Sequence, residues 1–178
     1  MTARANMQPT LDPTHVRDVN WDQRMADLWS ALDSYAPDAF VADIQRLADE
    51  RPPGDAAALF EMGSAQDSTG HPELAVPLYR AALAAGLTGL RRRRATIQLA
   101  SSLRVLGHPQ EAVDLLHAEV NASSDELDAA VLAFLALALA DLGREREALA
   151  HSLSALSGYL PRYNRSLARY AKRLVDPQ

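Results

Sequence analysis

Apolar residues recur along the chain at the spacing of amphipathic helices, in segments separated by short polar turns. The first such stripe is Met25, Leu28, Trp29 and Leu32, and stripes of the same period continue as far as Leu174. Spacings of i, i+3, i+4 and i+7 place side chains on one face of a helix. The pattern therefore predicts an all-α chain.

Three of the predicted turns share a glycine. Gly70, Gly107 and Gly143 lie 37 and 36 residues apart, and each stands five residues ahead of an alanine in the following helix. These alanines are Ala75, Ala112 and Ala148. Glycine tolerates the positive φ of a tight turn, and small residues let paired helices approach closely. The period is typical of repeats built from two helices and excludes a heptad coiled coil.

These signals divide the chain into four parts. They are a flexible arm (1–19), a degenerate helical hairpin (20–53), three repeats (54–160, at about 55–87, 91–121 and 124–160) and a capping helix with its tail (161–178). Asn20 is the expected N-cap of the first helix, and Asp55 that of the first repeat. In the capping helix, Leu167, Tyr170 and Leu174 have helical spacing and are expected to face inward.

Each repeat also has a small residue in its first helix, preceded by Met or Leu, as Met62-Gly63, Leu99-Ala100 and Leu135-Ala136. With these elements the chain resembles the tetratricopeptide repeat family over roughly residues 56–174, and within it the small free-standing bacterial members. The resemblance implies a right-handed superhelix of tandem repeats. Glu119 departs from it, because a small residue is expected there. The predicted repeat-packing residues are Gly63, Gly70, Ala75, Ala100, Gly107, Ala112, Ala136, Gly143 and Ala148.

The resemblance also implies a concave groove lined by the first helix of each repeat. Carried over residue by residue, it makes Phe60 an apolar anchor, while Arg94 and Arg104 hold acidic groups of a partner. Arg94 could instead pair with Asp67, and this alternative stays open. The predicted peptide groove comprises Phe60, Ser64, Asp67, Arg94, Ile97, Ser101 and Arg104.

The third repeat contributes only apolar residues to this groove, namely Ala130, Ala133, Leu137 and Ala140. An exposed apolar strip is a liability unless something covers it. We therefore expect either the terminal helix or a partner on this strip.

The favoured function is a scaffold or adaptor that binds a protein, as a peptide or helix, in the groove. Two alternatives stay open: a structural homodimer closed by aromatic residues of the N-terminal hairpin, and a module that senses a small ligand or peptide. The aromatic residues are Trp21, Trp29, Tyr35 and Phe40. The carboxylate clamp of chaperone-binding family members is not expected, because Phe60 and Ser64 stand where its Lys and Asn would be.

The composition and motifs of the chain argue against disulfides, metal sites and catalysis. The 178 residues include no cysteine, which excludes a disulfide framework and a thiolate metal site. His117 and His151 have no further ligand at suitable spacing, so we expect no metal and no cofactor. No nucleophile elbow, phosphate loop or His-Glu metal motif is present, and we therefore expect no enzyme.

Charge and hydropathy bear on partners and location. Four consecutive arginines, residues 91–94, point about 100° apart on a helix and cannot all face one ligand. With a net charge of −5, the chain is not expected to bind nucleic acid. No apolar run is long enough for a membrane span and no secretory signal is visible, which predicts a cytoplasmic protein.

The formal charge is uneven along the chain, −7 over residues 1–89 and +2 over residues 90–178. On an elongated molecule such polarity favours a charged partner or head-to-tail contact. An ordinary solvated surface is the simpler interpretation.

Overall fold

The structure, a computed structural model, describes residues 13–122 and 124–176. These residues form nine α-helices joined by short turns, and one 3-10 turn at Leu32–Ser34. The helices are α1 (Pro13–Ser30), α2 (Pro37–Ala48), α3 (Ala56–Ser68), α4 (Pro72–Ala84), α5 (Gly89–Val105), α6 (Pro109–Ala122), α7 (Asp128–Asp141), α8 (Glu145–Ser157) and α9 (Asn164–Val175). The all-α prediction is confirmed. Within the described residues, no helix combines the length and apolar character needed to cross a bilayer.

The helices α3 to α8 form the three predicted repeats as pairs: α3 with α4, α5 with α6, and α7 with α8. The second helix of each pair packs on the first helix of the next, so the pairs stack in chain order. Small side chains make the close contacts. Ala75, Ala100 and Ala112 are fully buried, and Ala136 and Ala148 are nearly so.

The turn glycines adopt the conformation predicted for them. Gly70, Gly107 and Gly143 have φ of 90°, 86° and 70°. In each turn the following residue donates its N–H to the carbonyl five residues earlier, as His71 does to Gln66 at 2.9 Å. This is the hydrogen bond of a Schellman motif, and it ends the first helix at the same place in every repeat.

The first helices of adjacent repeats lie side by side, α3 against α5 and α5 against α7. The second helices meet through long side chains instead. Arg80 Nη2 of α4 donates to Glu111 Oε1 of α6 at 2.6 Å, and the rings of His117 and His151 join α6 to α8. The layer of first helices is therefore the more tightly packed one, and it presents a continuous face.

The N-terminal hairpin, α1 with α2, packs on α3. Trp21 Nε1 donates to the carbonyl of Leu47 at 2.8 Å, and Phe40 is fully buried. The first helix begins at Pro13 and not at Asn20, so the predicted arm is too long. Proline favours the first position of a helix because its missing N–H has no partner there anyway. The rest of the arm, residues 1–12, lies outside the described residues.

Two other helix starts differ from prediction. Helix α7 begins at Asp128 and not near Ser124, because the Asp128 carboxylate accepts bonds from Ser124 Oγ and from the N–H of Asp125, which holds a polar turn. Helix α9 begins at Asn164 and not at Pro161, since Tyr163 takes a left-handed backbone, φ 66°. Tyr170 of α9 is 54% exposed, so the prediction that it faces inward is wrong.

Candidate functional site

Three residues of the predicted groove lie below the surface. Phe60, Ser64 and Ile97 are 0%, 1% and 5% exposed, and the prediction that Phe60 is an accessible anchor is wrong. The helices α3 and α5 approach so closely that side chains between them are covered. Ser64 Oγ lies 3.4 Å from the side-chain oxygen of Gln98 on α5. Helical spacing groups Phe60 and Ser64 on one side of α3, but it does not report how deeply that side is buried.

Arg94 lies at the surface directly above Phe60, with its guanidinium carbon 5.2 Å from the ring centroid. This is cation–π geometry. Arg94 has no carboxylate within ion-pair distance among the described residues, so the alternative pairing with Asp67 is not formed. Asp67 accepts hydrogen bonds from Ser102 Oγ at 2.9 Å and from Tyr79 OH at 3.4 Å. The exposed guanidinium is therefore available to an anionic group.

Burial changes the pKa of the Asp67 carboxyl group and that of the neighbouring Tyr79. It raises the pKa of Asp67 above the ordinary value, and the hydrogen bonds from Ser102 and Tyr79 oppose that rise. Burial also raises the pKa of Tyr79, and the nearby Asp67 carboxylate adds to the effect. Asp67 is thus a weak competitor for Arg94, because its two oxygens already accept hydrogen bonds from Ser102 and Tyr79.

Arg104 connects the second and third repeats. Its Nη1 donates to Asp141 Oδ2 of α7 at 2.9 Å. Its Nε is buried with no hydrogen-bond partner among the described residues. Ser101, one turn earlier, is half-buried. Of the two arginines expected to hold a partner's acidic groups, Arg104 is thus already committed to an ion pair.

The apolar strip of α7 is open. Ala133 and Ala140 are exposed, Leu137 is 47% exposed, and Ala130 is half-buried. The terminal helix α9 packs on α8 and leaves this strip uncovered. Of the two predicted coverings, the terminal helix is therefore excluded.

Val105 extends the apolar strip onto α5, where it is 62% exposed. Sequence reasoning missed it, although Arg94, Gln98, Ser101 and Val105 have the i, i+4, i+7, i+11 spacing of one helix face. This stripe lies beside the α7 strip because the two helices are neighbours. We call the combined surface the A-helix face and define it as Arg94, Gln98, Ser101, Val105, Ala133, Leu137 and Ala140.

The other three arginines of the run hold separate parts of the molecule together. Arg91 Nη2 donates to Asp22 of α1 at 2.7 Å, and its Nε donates to Glu61 of α3 at 3.2 Å. Glu61 also accepts from Trp29 Nε1 at 2.8 Å. Arg91 therefore ties the N-terminal hairpin to the first repeat, as a structural residue and not a ligand contact.

Arg92 and Arg93 explain the unexpected Glu119. Glu119 is 2% exposed and pairs with Arg92, while Arg93, also 2% exposed, contacts Glu119, Asp125 and Asp128. The Arg93–Asp128 distance is 2.8 Å. The network anchors the turn before α7 to α5. The four consecutive arginines do not face one ligand, because Arg91 contacts α1 and α3, Arg92 and Arg93 share Glu119, and Arg94 lies over Phe60.

The aromatic residues proposed to close a homodimer lie mostly inside the hairpin. Trp21 and Phe40 are 4% and 0% exposed. Trp29 stacks edge-on against Phe40 with ring centroids 5.0 Å apart, and Tyr35 OH donates to Asp43 at 3.2 Å. These rings form the hairpin core, so they do not present the apolar surface that this alternative requires.

His117 and His151 meet edge to face, with ring centroids 6.0 Å apart. Burial lowers the pKa of His151, and the neighbouring His117 lowers it further. No three His, Asp or Glu side chains gather as metal ligands anywhere in the described part of the chain. The pair is a contact between α6 and α8.

A family model described as "Tetratrico peptide repeat" matches residues 56–174. This range begins at the first residue of α3 and reaches the last turn of α9. No curated protein and no solved structure matches the chain at a significant level. The matched region covers well over half of the chain and contains all three structural repeats. The chain therefore belongs to the tetratricopeptide repeat family.

Proposed function

We propose that the A-helix face binds a segment of another protein that presents an apolar side chain and an acidic group. Tetratricopeptide repeats generally mediate protein–protein interactions, and the proposal assigns that role here to one surface. The protein would act as a scaffold or adaptor and not as a catalyst.

The observation that carries the proposal is an exposed apolar strip beside an uncompensated cation. Leu137, with alanines on either side, is accessible on α7, and Arg94 lies on the neighbouring helix without a carboxylate partner in the described part of the chain. A partner segment laid across α5 and α7 can cover the strip and place a carboxylate on Arg94. Arg94 is preorganised for this contact because the Phe60 ring supports its guanidinium.

The free energies expected from the apolar contact and the charged contact indicate a modest affinity for the partner segment. Full burial of a leucine contributes about 1.5–3 kcal/mol, and Leu137 is already half-buried, so roughly 1 kcal/mol remains. A hydrogen bond to a charged group contributes about 1.5–3 kcal/mol. Ordering the partner segment offsets part of this gain. We therefore expect reversible binding that depends on both contacts.

Peptides selected from a random library for binding to the protein provide defined probes. Leu137→Lys should weaken such peptides by about tenfold, which corresponds to about 1.4 kcal/mol. Leu74→Lys is the matched control, because Leu74 is 49% exposed on the second helix α4. Arg94→Glu should weaken peptides with an acidic residue by a similar factor. Equal dissociation constants for the Leu137 and Leu74 variants would contradict the proposal.

A further inference from the structure

The two ends of the molecule carry opposite charge. The hairpin, residues 20–53, has seven acids and three bases, a formal charge of −4. The segment 161–176, which contains α9, has five bases and one acid, a formal charge of +4. The hairpin and α9 lie at opposite ends of the stack of repeats, because the pairs follow one another in chain order. The molecule is therefore electrically polar along its length.

The basic end is exposed, and the guanidinium carbon of Arg169 lies 5.4 Å from the centroid of the Tyr170 ring. No cation of segment 161–176 has a carboxylate within ion-pair distance in the part of the chain that the structure describes. Helix α9 packs its apolar side on α8, with Ala171 fully buried, and so its charged side faces solvent. Arg165, Arg169 and Lys172 are spaced i, i+4, i+7 and form one ridge along this side. A ridge of uncompensated cations attracts an acidic surface.

Aromatic surface flanks this basic ridge. Tyr163 is 77% exposed and Tyr170 is 54% exposed. On the helix wheel Tyr170 falls between the buried side, marked by Leu167 and Leu174, and the ridge. Tyrosine combines a large apolar ring with a polar tip and is enriched at protein interfaces for that reason.

At the acidic end, a cleft of about 340 Å³ opens between α1 and α2. Its walls include the apolar Leu28, Ala31 and Leu47, the ring of Tyr35, the carboxylates of Asp27, Asp43 and Glu50, and the guanidinium groups of Arg24 and Arg46, which pair with Glu50 and Asp43. A cleft of this volume has room for an aromatic side chain. Four carboxylates of the hairpin have no cation within ion-pair distance among the described residues, namely Asp27, Asp33, Asp38 and Asp49. The cleft thus combines an apolar floor with one carboxylate, that of Asp27, that is not compensated by an arginine of the cleft.

We propose that α9 of one molecule docks on the N-terminal hairpin of a second copy. Tyr170 enters the α1–α2 cleft, and the basic ridge faces the unpaired hairpin carboxylates. Such a contact joins two different surfaces, so each molecule can bind one copy at either end. It therefore builds open chains or closed rings and not a two-fold dimer. It does not use the A-helix face, and it is independent of the proposed function.

Sedimentation velocity of the wild-type protein tests this directly. The average mass should rise above the monomer's 19.4 kDa as concentration increases at low salt. It should return to the monomer value at about 0.5 M salt, where screening is short-ranged. A wild-type protein that stays monomeric at every concentration in low salt would overturn the proposal, and would leave the basic ridge to an acidic partner of another kind.

Two double variants identify the surfaces, and both use exposed residues. Arg169→Glu/Arg173→Glu brings the formal charge of segment 161–176 from +4 to 0, and Asp27→Lys/Asp33→Lys brings that of the hairpin from −4 to 0. Each variant alone should be monomeric, because one of its two ends then carries no net charge. An equimolar mixture should form pairs, because the unaltered acidic hairpin of the first variant meets the unaltered basic α9 of the second.

Glu126→Lys, an exposed reversal in the turn before α7, is the control and should assemble like the wild type. Circular dichroism melting checks that every variant is folded. Assembly of either double variant alone at the wild-type level would overturn the assignment of its end, as would a mixture that remains monomeric.

Discussion

Single residues decide how closely the helices can approach. A Cβ added at Gly63 would lie 2.9 Å from Cδ1 of Tyr79 and 3.3 Å from Cβ of Leu78. Tyr79 is fully buried, so its ring has little room to move. The glycine at this position is therefore required by the contact between α3 and α4, and not by its backbone angles.

Gly63→Ala should consequently lower the free energy of unfolding. Overpacking costs about 1–3 kcal/mol, and the better helix propensity of alanine offsets about 1 kcal/mol, which leaves a net loss of about 1 kcal/mol. Gly158→Ala is the control, because its added Cβ meets no neighbour closer than 3.7 Å. Urea denaturation should show Gly63→Ala to be the less stable variant. The reverse order would contradict the close packing of Gly63 against Tyr79 between α3 and α4.

The arginine run permits a comparison between adjacent residues. Arg93→Met removes a buried guanidinium and leaves Glu119 with Arg92 alone, so we expect a loss of about 3 kcal/mol. Arg94→Met removes an exposed cation, for which the expected change is within about 0.5 kcal/mol. Thermal melting of the two variants measures the difference. Similar stability would mean that Arg93 is not the residue that anchors the turn before α7.

Among the elements, those with strong local signals were predicted well and those defined by polar contacts were not. Gly70 and its equivalents mark turns because few other residues tolerate positive φ. The start of α7 depends on hydrogen bonds of the Asp128 carboxylate, and that of α9 on the left-handed Tyr163. The spacing of apolar residues does not predict where α7 and α9 begin, because each start depends on the geometry of the turn before it.

The contact between α6 and α8 predicts a pH dependence. Burial lowers the pKa of His151 below its ordinary 6.5, so the folded state binds fewer protons than the unfolded state in that region. The free energy of unfolding should therefore fall as the pH falls through about 6.5. Glu147, also near this pair, has its pKa lowered by its hydrogen bond from Arg144 and contributes only at more acidic pH, below its ordinary 4.5.

His151→Gln should remove part of that pH dependence. Between about pH 7.5 and about pH 5.5, the variant should lose less of its unfolding free energy than the wild type. His108→Gln, in an exposed turn, is the control and should follow the wild type. Urea titrations at the two pH values give the comparison, and parallel losses in all three proteins would exclude a contribution from His151.

At the scale of the whole molecule, the layer of first helices carries the proposed binding surface, and the two charged ends carry the proposed self-association surfaces. The family resemblance implied a groove on the first helices, which stays a prediction, and it placed Phe60 at the surface, where the structure buries it. Burial depends on how closely α3 and α5 approach, which no single helix pattern reports. The resemblance also could not show that Arg104 forms an ion pair while Arg94 has no carboxylate partner among the described residues. Those differences arise from Asp141 and Phe60, residues distant in the sequence.

The central claim, that the A-helix face is the binding surface, is tested most directly by methyl NMR with a library-selected peptide. Signals of Ala133, Leu137 and Ala140 should shift on titration, while those of Ala118, an exposed alanine of α6, and Leu74 should not. The dissociation constant fitted to these shifts should equal the dissociation constant measured for the same peptide by another method. Shifts confined to α9 or to the second helices, with the α7 methyl groups unchanged, would contradict the account.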